Sequence, residues 1–190
     1  LVLWSLGLPL DDLDSVTDQP VEQADVARTL ALIEQRITSR RPAAYLTQEA
    51  WLQGVPFYVD ERTIVPRSFI AEVIAAIPEA TNIDEWLSPD TTRGLDLCTG
   101  NGSVAVLAAR AWPGITVDAA DLSEEALAVA RINVDKHGLQ SRITLLQSDG
   151  LAQVHGPYDL ILCNPPYVNA QSMAALPAEY LAEPTLALAS

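Results

Sequence analysis

Residues 164–167 read Asn164-Pro165-Pro166-Tyr167 and follow the apolar run Tyr158-Asp159-Leu160-Ile161-Leu162-Cys163. A short buried strand would deliver this rigid polar tetrapeptide at its carboxyl end, where open α/β sheets keep their chemistry. Two consecutive prolines fix φ, donate no hydrogen bonds and hold the residue before each extended. The Asn164 carboxamide and the Pro165 carbonyl can then face one point, and two acceptors there suit one NH2 group. An amide or aryl-amine nitrogen is a poor nucleophile because its lone pair is delocalised. Holding both N–H bonds in acceptors helps it turn that pair toward an electrophile. The tetrapeptide thus points to group transfer onto a planar nitrogen, although alone it reads equally as a proline-rich turn after a strand.

Upstream, Arg93-Gly94-Leu95-Asp96-Leu97-Cys98-Thr99-Gly100-Asn101-Gly102-Ser103-Val104-Ala105 reads as a strand, a glycine loop and a helix start. Gly100 and Gly102 permit positive φ and close backbone approach to a ligand, with free amides at the helix start. The third glycine of the dinucleotide fingerprint is replaced by Ala105, which argues against a pyrophosphate. A second strand, Ile115 to Ala120, ends at Asp121, 19 residues beyond Gly102, a position suited to ribose hydroxyls or to an acid in the first turn of a helix. A third strand, Arg142 to Gln147, ends at Ser148-Asp149-Gly150. Asp149 could accept from an exocyclic adenine amine, and equally is an ordinary turn aspartate. Four strand ends therefore carry Asp96 with the glycine loop, Asp121, Asp149 and the Asn-Pro-Pro-Tyr corner.

These ends must be brought together by the elements between them. Right-handed crossovers in a sheet doubly wound about the first strand make strands one and four neighbours, with Gly100 and Asn164 at one crevice. Before the sheet, Pro20 to roughly Arg40 places Val26, Leu30, Ile33 and Ile37 on one helical face, after the start signal Asp18-Gln19-Pro20. Trp51 to Val59 alternates about Gln53-Gly54 and reads as a β-hairpin, with Pro56 tolerated at an edge. Pro66 is expected to open a helix carrying Phe69, Val73, Ile74 and Ile77, and 84–92 reads as a polar connection. Ser123-Glu124-Glu125 caps the next helix, which Gly138 closes.

The loop Asp-Leu-Cys-Thr-Gly-Asn-Gly, Asp121 and the Asn-Pro-Pro-Tyr corner resemble the S-adenosylmethionine-dependent amino-methyltransferases. Ala44-Tyr45-Leu46-Thr47, Phe57-Tyr58-Val59-Asp60-Glu61-Arg62, Val65-Pro66-Arg67-Ser68 and Leu176-Pro177-Ala178-Glu179-Tyr180, with Glu183-Pro184 and the ending at Ser190, extend that resemblance over nearly the whole chain. They are similar to the HemK/PrmB protein-glutamine methyltransferases, in the PrmB branch. Cys98 stands where many relatives carry glycine. The resemblance implies a Rossmann-like class I methyltransferase fold, α/β and doubly wound with a mostly parallel sheet. A helical piece at 1–48, a hairpin linker at 49–63 and a catalytic domain at 64–190 are expected. It implies S-adenosyl-L-methionine bound along Asp96, Cys98, Thr99, Gly100, Asn101 and Gly102, with ribose on Asp121, adenine near Asp149 and Gly150, and Asn164 beside it. Asn164 and the Pro165 carbonyl would hold the substrate NH2, Pro166 would shape the pocket and Tyr167 would pack beside the glutamine. The implied substrate is a glutamine of the large-subunit ribosomal protein uL3, methylated on its amide nitrogen. Three other readings share parts of these motifs: peptide-chain release factors as substrate, adenine-amino methylation of nucleic acid, and a noncatalytic nucleotide-binding assembly domain.

Composition bounds the answer. At 190 residues and 49% hydrophobic, the chain can build one sizeable core with a small appendage. No apolar run reaches membrane-spanning length and no secretory signal is present, so a cytoplasmic protein is expected. Cys98 and Cys163 read as reduced buried thiols, with no disulfide framework and no metal ligand set. The net charge of −14 repels a polyanion and favours a cationic partner, such as a basic ribosomal protein, over nucleic acid. A positive charge on His137 would complement the end of its helix, and His155 lies in a loop. The chain starts without Met and stops soon after the fourth strand, which would leave that strand at an open edge and suggests a fragment.

Overall fold

The fold begins with three helices, α1 (Val2–Ser5), α2 (Gln23–Ser39) and α3 (Ala43–Thr47). The computed structural model describes residues 1–11, 13–76, 87–88, 90–177 and 179–189. Helix α2 starts three residues beyond Pro20 and ends at Arg40, whose φ of 55° takes the left-handed turn common at helix ends. Its buried face differs from its apolar stripe: Val26, Leu30 and Ile37 are exposed, whereas Thr29 is buried. The Thr29 hydroxyl lies 2.7 Å from that of Ser5, and Arg28 donates to the Ser5 carbonyl. Polar contacts to α1 therefore set the orientation of α2, because α1 is too short to cover the apolar stripe.

Strands β1 (Glu49–Leu52) and β2 (Val55–Tyr58) pair antiparallel, Leu52 opposite Val55. Gln53 and Gly54 turn the chain between them with φ of 50° and 71°, the double positive φ that matches strand twist in a two-residue hairpin. Phe57 and Val59 are fully buried and anchor the hairpin to the rest of the molecule. Helix α4 (Phe69–Ala76) begins at Phe69 instead of Pro66, because the Ser68 side chain accepts the Ile70 N–H at 3.2 Å and caps it there. Phe69 is 82% exposed, and Ala71 and Ile74 supply the inward face. The expected contribution of Ile77, residues 84–86 and 89 of the polar connection, and the motif residues Ala178 and Ser190 lie outside the described residues.

Strands β3 (Arg93–Leu97), β4 (Thr116–Asp121), β5 (Ile143–Gln147) and β6 (Leu160–Cys163) form a parallel sheet in the order β5-β4-β3-β6. Helix α5 (Ser103–Ala111) joins β3 to β4, and α6 (Glu124–Lys136) joins β4 to β5. This is the doubly wound order expected: β3 lies between β4 and β6, with Leu97 opposite both Ala120 and Cys163. The carboxyl ends of all four strands consequently open on one edge. Fully buried Val106, Ile115, Val117 and Ala119 fill the space between sheet and α5.

Several local expectations give way to packing. Arg142 stands outside β5 and donates to the carbonyls of Ala109, Trp112 and Ile115, satisfying acceptors at the end of α5 and in the turn before β4. Strand β6 starts at Leu160, not Tyr158, because the Asp159 carboxylate turns aside to accept the N–H groups of Thr92 and Arg93. Cys163 is exposed and Cys98 half-buried, so neither is the fully buried thiol expected; β6 is an edge strand with alternate residues facing outward. His137 ends α6, but its Nε2 lies 3.0 Å from the Pro56 carbonyl and its ring packs on Phe57. Burial lowers its pKa, which favours the neutral ring over the helix-end cation. His155 is exposed in its loop. Beyond β6, α7 (Ala170–Met173), a 3-10 turn (Tyr180–Ala182) and α8 (Thr185–Leu188) return the chain until Ala189 bridges Val168. Among the described residues no helix is long and apolar enough to cross a membrane, and no group of His, Cys, Asp and Glu could hold a metal ion.

Candidate functional site

The glycine loop leaves β3 through Cys98, whose φ of +61° is uncommon for a residue with a side chain and marks a tight turn at the sheet edge. Asp96, 1% exposed, accepts the Thr99 hydroxyl at 2.5 Å and the Ala105 N–H at 3.0 Å, so it ties the loop to the first turn of α5 from beneath. Burial pushes its carboxyl up to about 7, against the pull of those two donors. Asp121 braces the loop from the next strand: Oδ2 accepts the Gly100 N–H at 2.8 Å and Oδ1 the Ser123 N–H at 3.0 Å. The two glycines differ in use. A Cβ on Gly100 would meet nothing within 4 Å, whereas one on Gly102 would lie 3.1 Å from the Ala130 Cβ. Gly102 serves the close packing of α6 against the loop.

A cavity of about 280 Å3 opens above the loop. It gathers nine of the expected site residues: Cys98, Thr99, Gly100 and Asn101 from the loop, Asp121 from β4, Asp149 and Gly150 after β5, and Asn164 and Pro166 after β6. Asp96 and Gly102 are not on its wall; they shape it from behind. A second cavity, about 440 Å3, is lined by Pro165 and Tyr167 with Leu176, Pro177 and Tyr180. Asn164 belongs to both walls, as do Ile64, Arg67 and Ala187. The Asn-Pro-Pro-Tyr corner therefore alternates between chambers, with Asn164 where they meet.

Spacing in the sequence did not single out two of the segments that close these chambers. Residues 62–64 and 66–68 wall the first cavity from the hairpin side, and Pro184, Leu186 and Ala187 wall it from the returning chain. They are joined by Arg67 and Glu183, 116 residues apart: the guanidinium donates two bonds to the buried carboxylate, which also accepts the Val65 N–H at 3.3 Å. Arg67 further sits 4.8 Å over the Tyr180 ring. Arg62, the other wall arginine, is held by Asp60. Both residues lie in motif fragments of the sequence, but a pairing at that separation has no periodic signal. Burial pushes the Cys98 thiol up to about 11, so it stays protonated at neutral pH. Two buried polar atoms have no hydrogen-bond partner among the described residues, Asn101 Nδ2 and Thr63 Oγ1, and both residues line the first cavity.

Comparison with known proteins adds the following. A family model described as methyltransferase small domain matches residues 81–188. A ribosomal protein uL3 glutamine methyltransferase of Bordetella pertussis (strain Tohama I) is 51% identical, and one of Burkholderia pseudomallei (strain K96243) is 49% identical. The matches cover all of this chain, which spans 63% of the length of each relative. Among solved structures, the human METTL16 N-terminal domain superposes with a TM-score of 0.51 at 18% identity, covering 82% of this chain and 68% of that one. The METTL16 catalytic domain in complex with an RNA hairpin gives 0.53 at 15% identity, covering 89% and 58%. Those likenesses concern the fold.

Proposed function

The chain belongs to the methyltransferase small domain family, and we propose that it transfers a methyl group from S-adenosyl-L-methionine to the side-chain amide nitrogen of a glutamine in ribosomal protein uL3. The observation that carries this reading is the position of Asn164 on the common wall of two chambers, one built around the glycine loop and the other around Pro165 and Tyr167. The names of the half-identical relatives support the choice of substrate.

The first chamber suits the methyl donor. Each Asp121 oxygen holds one backbone N–H and retains lone pairs for the hydroxyls of a ribose. Gly100 leaves open space where a side chain would project. Asp149 and Gly150 stand at the adenine end. S-adenosylmethionine, when bound, supplies an electrophilic methyl carbon on a sulfonium.

The protein's own part is positioning. Asn164 and the Pro165 carbonyl accept the two N–H bonds of the glutamine amide and turn its lone pair toward the first chamber. Pro166 stiffens the wall and Tyr167 packs beside the glutamine side chain. Methyl transfer would leave the C–S bond pair on the donor's sulfur, and the methylated nitrogen would release its proton to water. Rate comes from orientation and from acceptors already in place as positive charge develops, so no general base is needed. The helical piece at 1–48 and the hairpin linker at 49–63, whose last two residues reach the first chamber, are assigned to selection of the protein substrate. The negative charge of the chain suits a basic partner in the cytoplasm.

The test supplies the full-length protein and labelled methyl donor with isolated uL3, a release factor, RNA and DNA in parallel. Label on a glutamine of uL3, located by mass spectrometry, is the expected result. Label entering only the release factor would overturn the substrate, and label entering nucleic acid would overturn the acceptor chemistry as well.

A further inference from the structure

We infer that the Thr63 hydroxyl is a cofactor-binding group which, with the Asn101 carboxamide, holds the carboxylate at the amino-acid end of the methyl donor. The inference rests on the S-adenosylmethionine reading above and adds to it a residue from outside the sheet. Thr63 follows the hairpin, is 1% exposed, and lines the first cavity. Its backbone is fully engaged: the N–H donates to the Asp60 carbonyl at 3.1 Å and the carbonyl accepts the buried Tyr45 hydroxyl at 2.5 Å. The side-chain oxygen, held in place by that backbone, has no partner among the described residues. A buried hydroxyl without a partner lowers stability, and valine would fill the same space without that cost.

Asn101 presents the complementary half. Its Oδ1 accepts the Ser103 N–H at 3.2 Å and its backbone carbonyl accepts from Asn133 at 2.8 Å, which leaves Nδ2 as an unsatisfied group that can only donate. Both residues line the cavity, and a hydroxyl and an amide NH2 left buried without partners at its wall would be satisfied by a ligand group rich in acceptors. The ribose hydroxyls and the adenine amine present donors to Asp121 and Asp149, and the ring nitrogens lie with that amine. The ammonium of the amino-acid end only donates. The carboxylate is the acceptor-only group that remains.

Calorimetry on the full-length protein tests this with two ligands that share the nucleoside: S-adenosylhomocysteine, which carries the carboxylate, and 5′-methylthioadenosine, which lacks it. Thr63→Val should weaken S-adenosylhomocysteine roughly tenfold, the scale of one hydrogen bond to a charged group, and leave 5′-methylthioadenosine unchanged. Thr63→Ser should restore the loss. Asn101→Asp keeps the acceptor for Ser103 while placing a carboxylate oxygen where the donor stood, and should discriminate between the ligands in the same direction. Ligand-free Thr63→Val should melt no lower than the parent. An unchanged dissociation constant for S-adenosylhomocysteine, or an equal loss for both ligands, overturns the assignment. A parent protein that binds neither ligand overturns the cofactor reading and this assignment with it.

Discussion

The Asn133 carboxamide closes a two-point bond on the backbone of Tyr58: Oδ1 accepts the Tyr58 N–H at 2.7 Å and Nδ2 donates to the Tyr58 carbonyl at 3.0 Å. The second Nδ2 hydrogen reaches the Asn101 carbonyl at 2.8 Å. One fully buried residue on α6 thereby fixes the hairpin and the glycine loop to a common frame. The wall supplied by residues 62–64 and 66–68 and the floor supplied by Asn101 are positioned through it.

Asn133→Ala should therefore cost about 2–4 kcal/mol, since it strands a buried N–H and two carbonyls at once. Urea unfolding measures the loss. The same variant should bind the methyl donor more weakly, because hairpin and loop are no longer held in register. A stability change within about 0.5 kcal/mol would remove Asn133 from this role.

Asp96 gives a pH signature. Its folded-state pKa, about 7, is raised above the ordinary aspartate value, so the stability linked to it is present at low pH and lost as pH rises through about 7. Asp96→Asn keeps an acceptor for Thr99 and Ala105 without the buried charge. Relative to the parent, this variant should gain melting temperature from about pH 4 to about pH 7 and keep a constant advantage above that. Parallel profiles would show that Asp96 does not titrate there.

The Arg67–Glu183 pair closes both chambers. Glu183→Ala leaves a half-exposed guanidinium and the Val65 N–H without their acceptor, a loss of about 1–3 kcal/mol once solvent access to Arg67 is considered. Because Arg67 lines both cavities, KM should rise for methyl donor and protein substrate together. A rise for one alone would place the pair on one chamber only.

The sheet was legible because its strands are apolar runs that end in turn residues, and the crossover rule then fixes which strand ends meet. Gly100 and Asn164 do line one cavity. Other features depend on contacts that spacing does not encode. Gly100 and Gly102 look alike in sequence, yet only the position of Ala130 reveals that Gly102 serves packing. Asp96 resembles a ligand-facing acid until its burial is known. The apolar stripe of α2 faces outward, since helical periodicity reports an apolar face but not what covers it. Thr63 and Glu183 carry no motif that distinguishes them from structural residues; their significance lies in an unpartnered hydroxyl and in a pairing across 116 positions.

Asp121 should matter for affinity. Asp121→Ala removes the acceptor assigned to ribose and also frees the Gly100 N–H it restrains. The dissociation constant for S-adenosylmethionine should rise roughly tenfold or more, at about 1.4 kcal/mol per decade. Calorimetry with an unchanged constant and an intact fold would exclude Asp121 from the cofactor site.

The most direct measurement is the single-turnover rate of full-length Asn164→Ala on uL3, with the methyl-donor dissociation constant taken on the same preparation. Because Asn164 stands between the chambers and is proposed to accept from the reacting nitrogen, the rate should fall by roughly 10²–10³, the scale of one lost preorganised polar contact. The dissociation constant should change by less than about threefold, well under 1.4 kcal/mol. A near-parental rate, or a loss explained wholly by weaker methyl-donor binding, would contradict the placement of the acceptor nitrogen at Asn164.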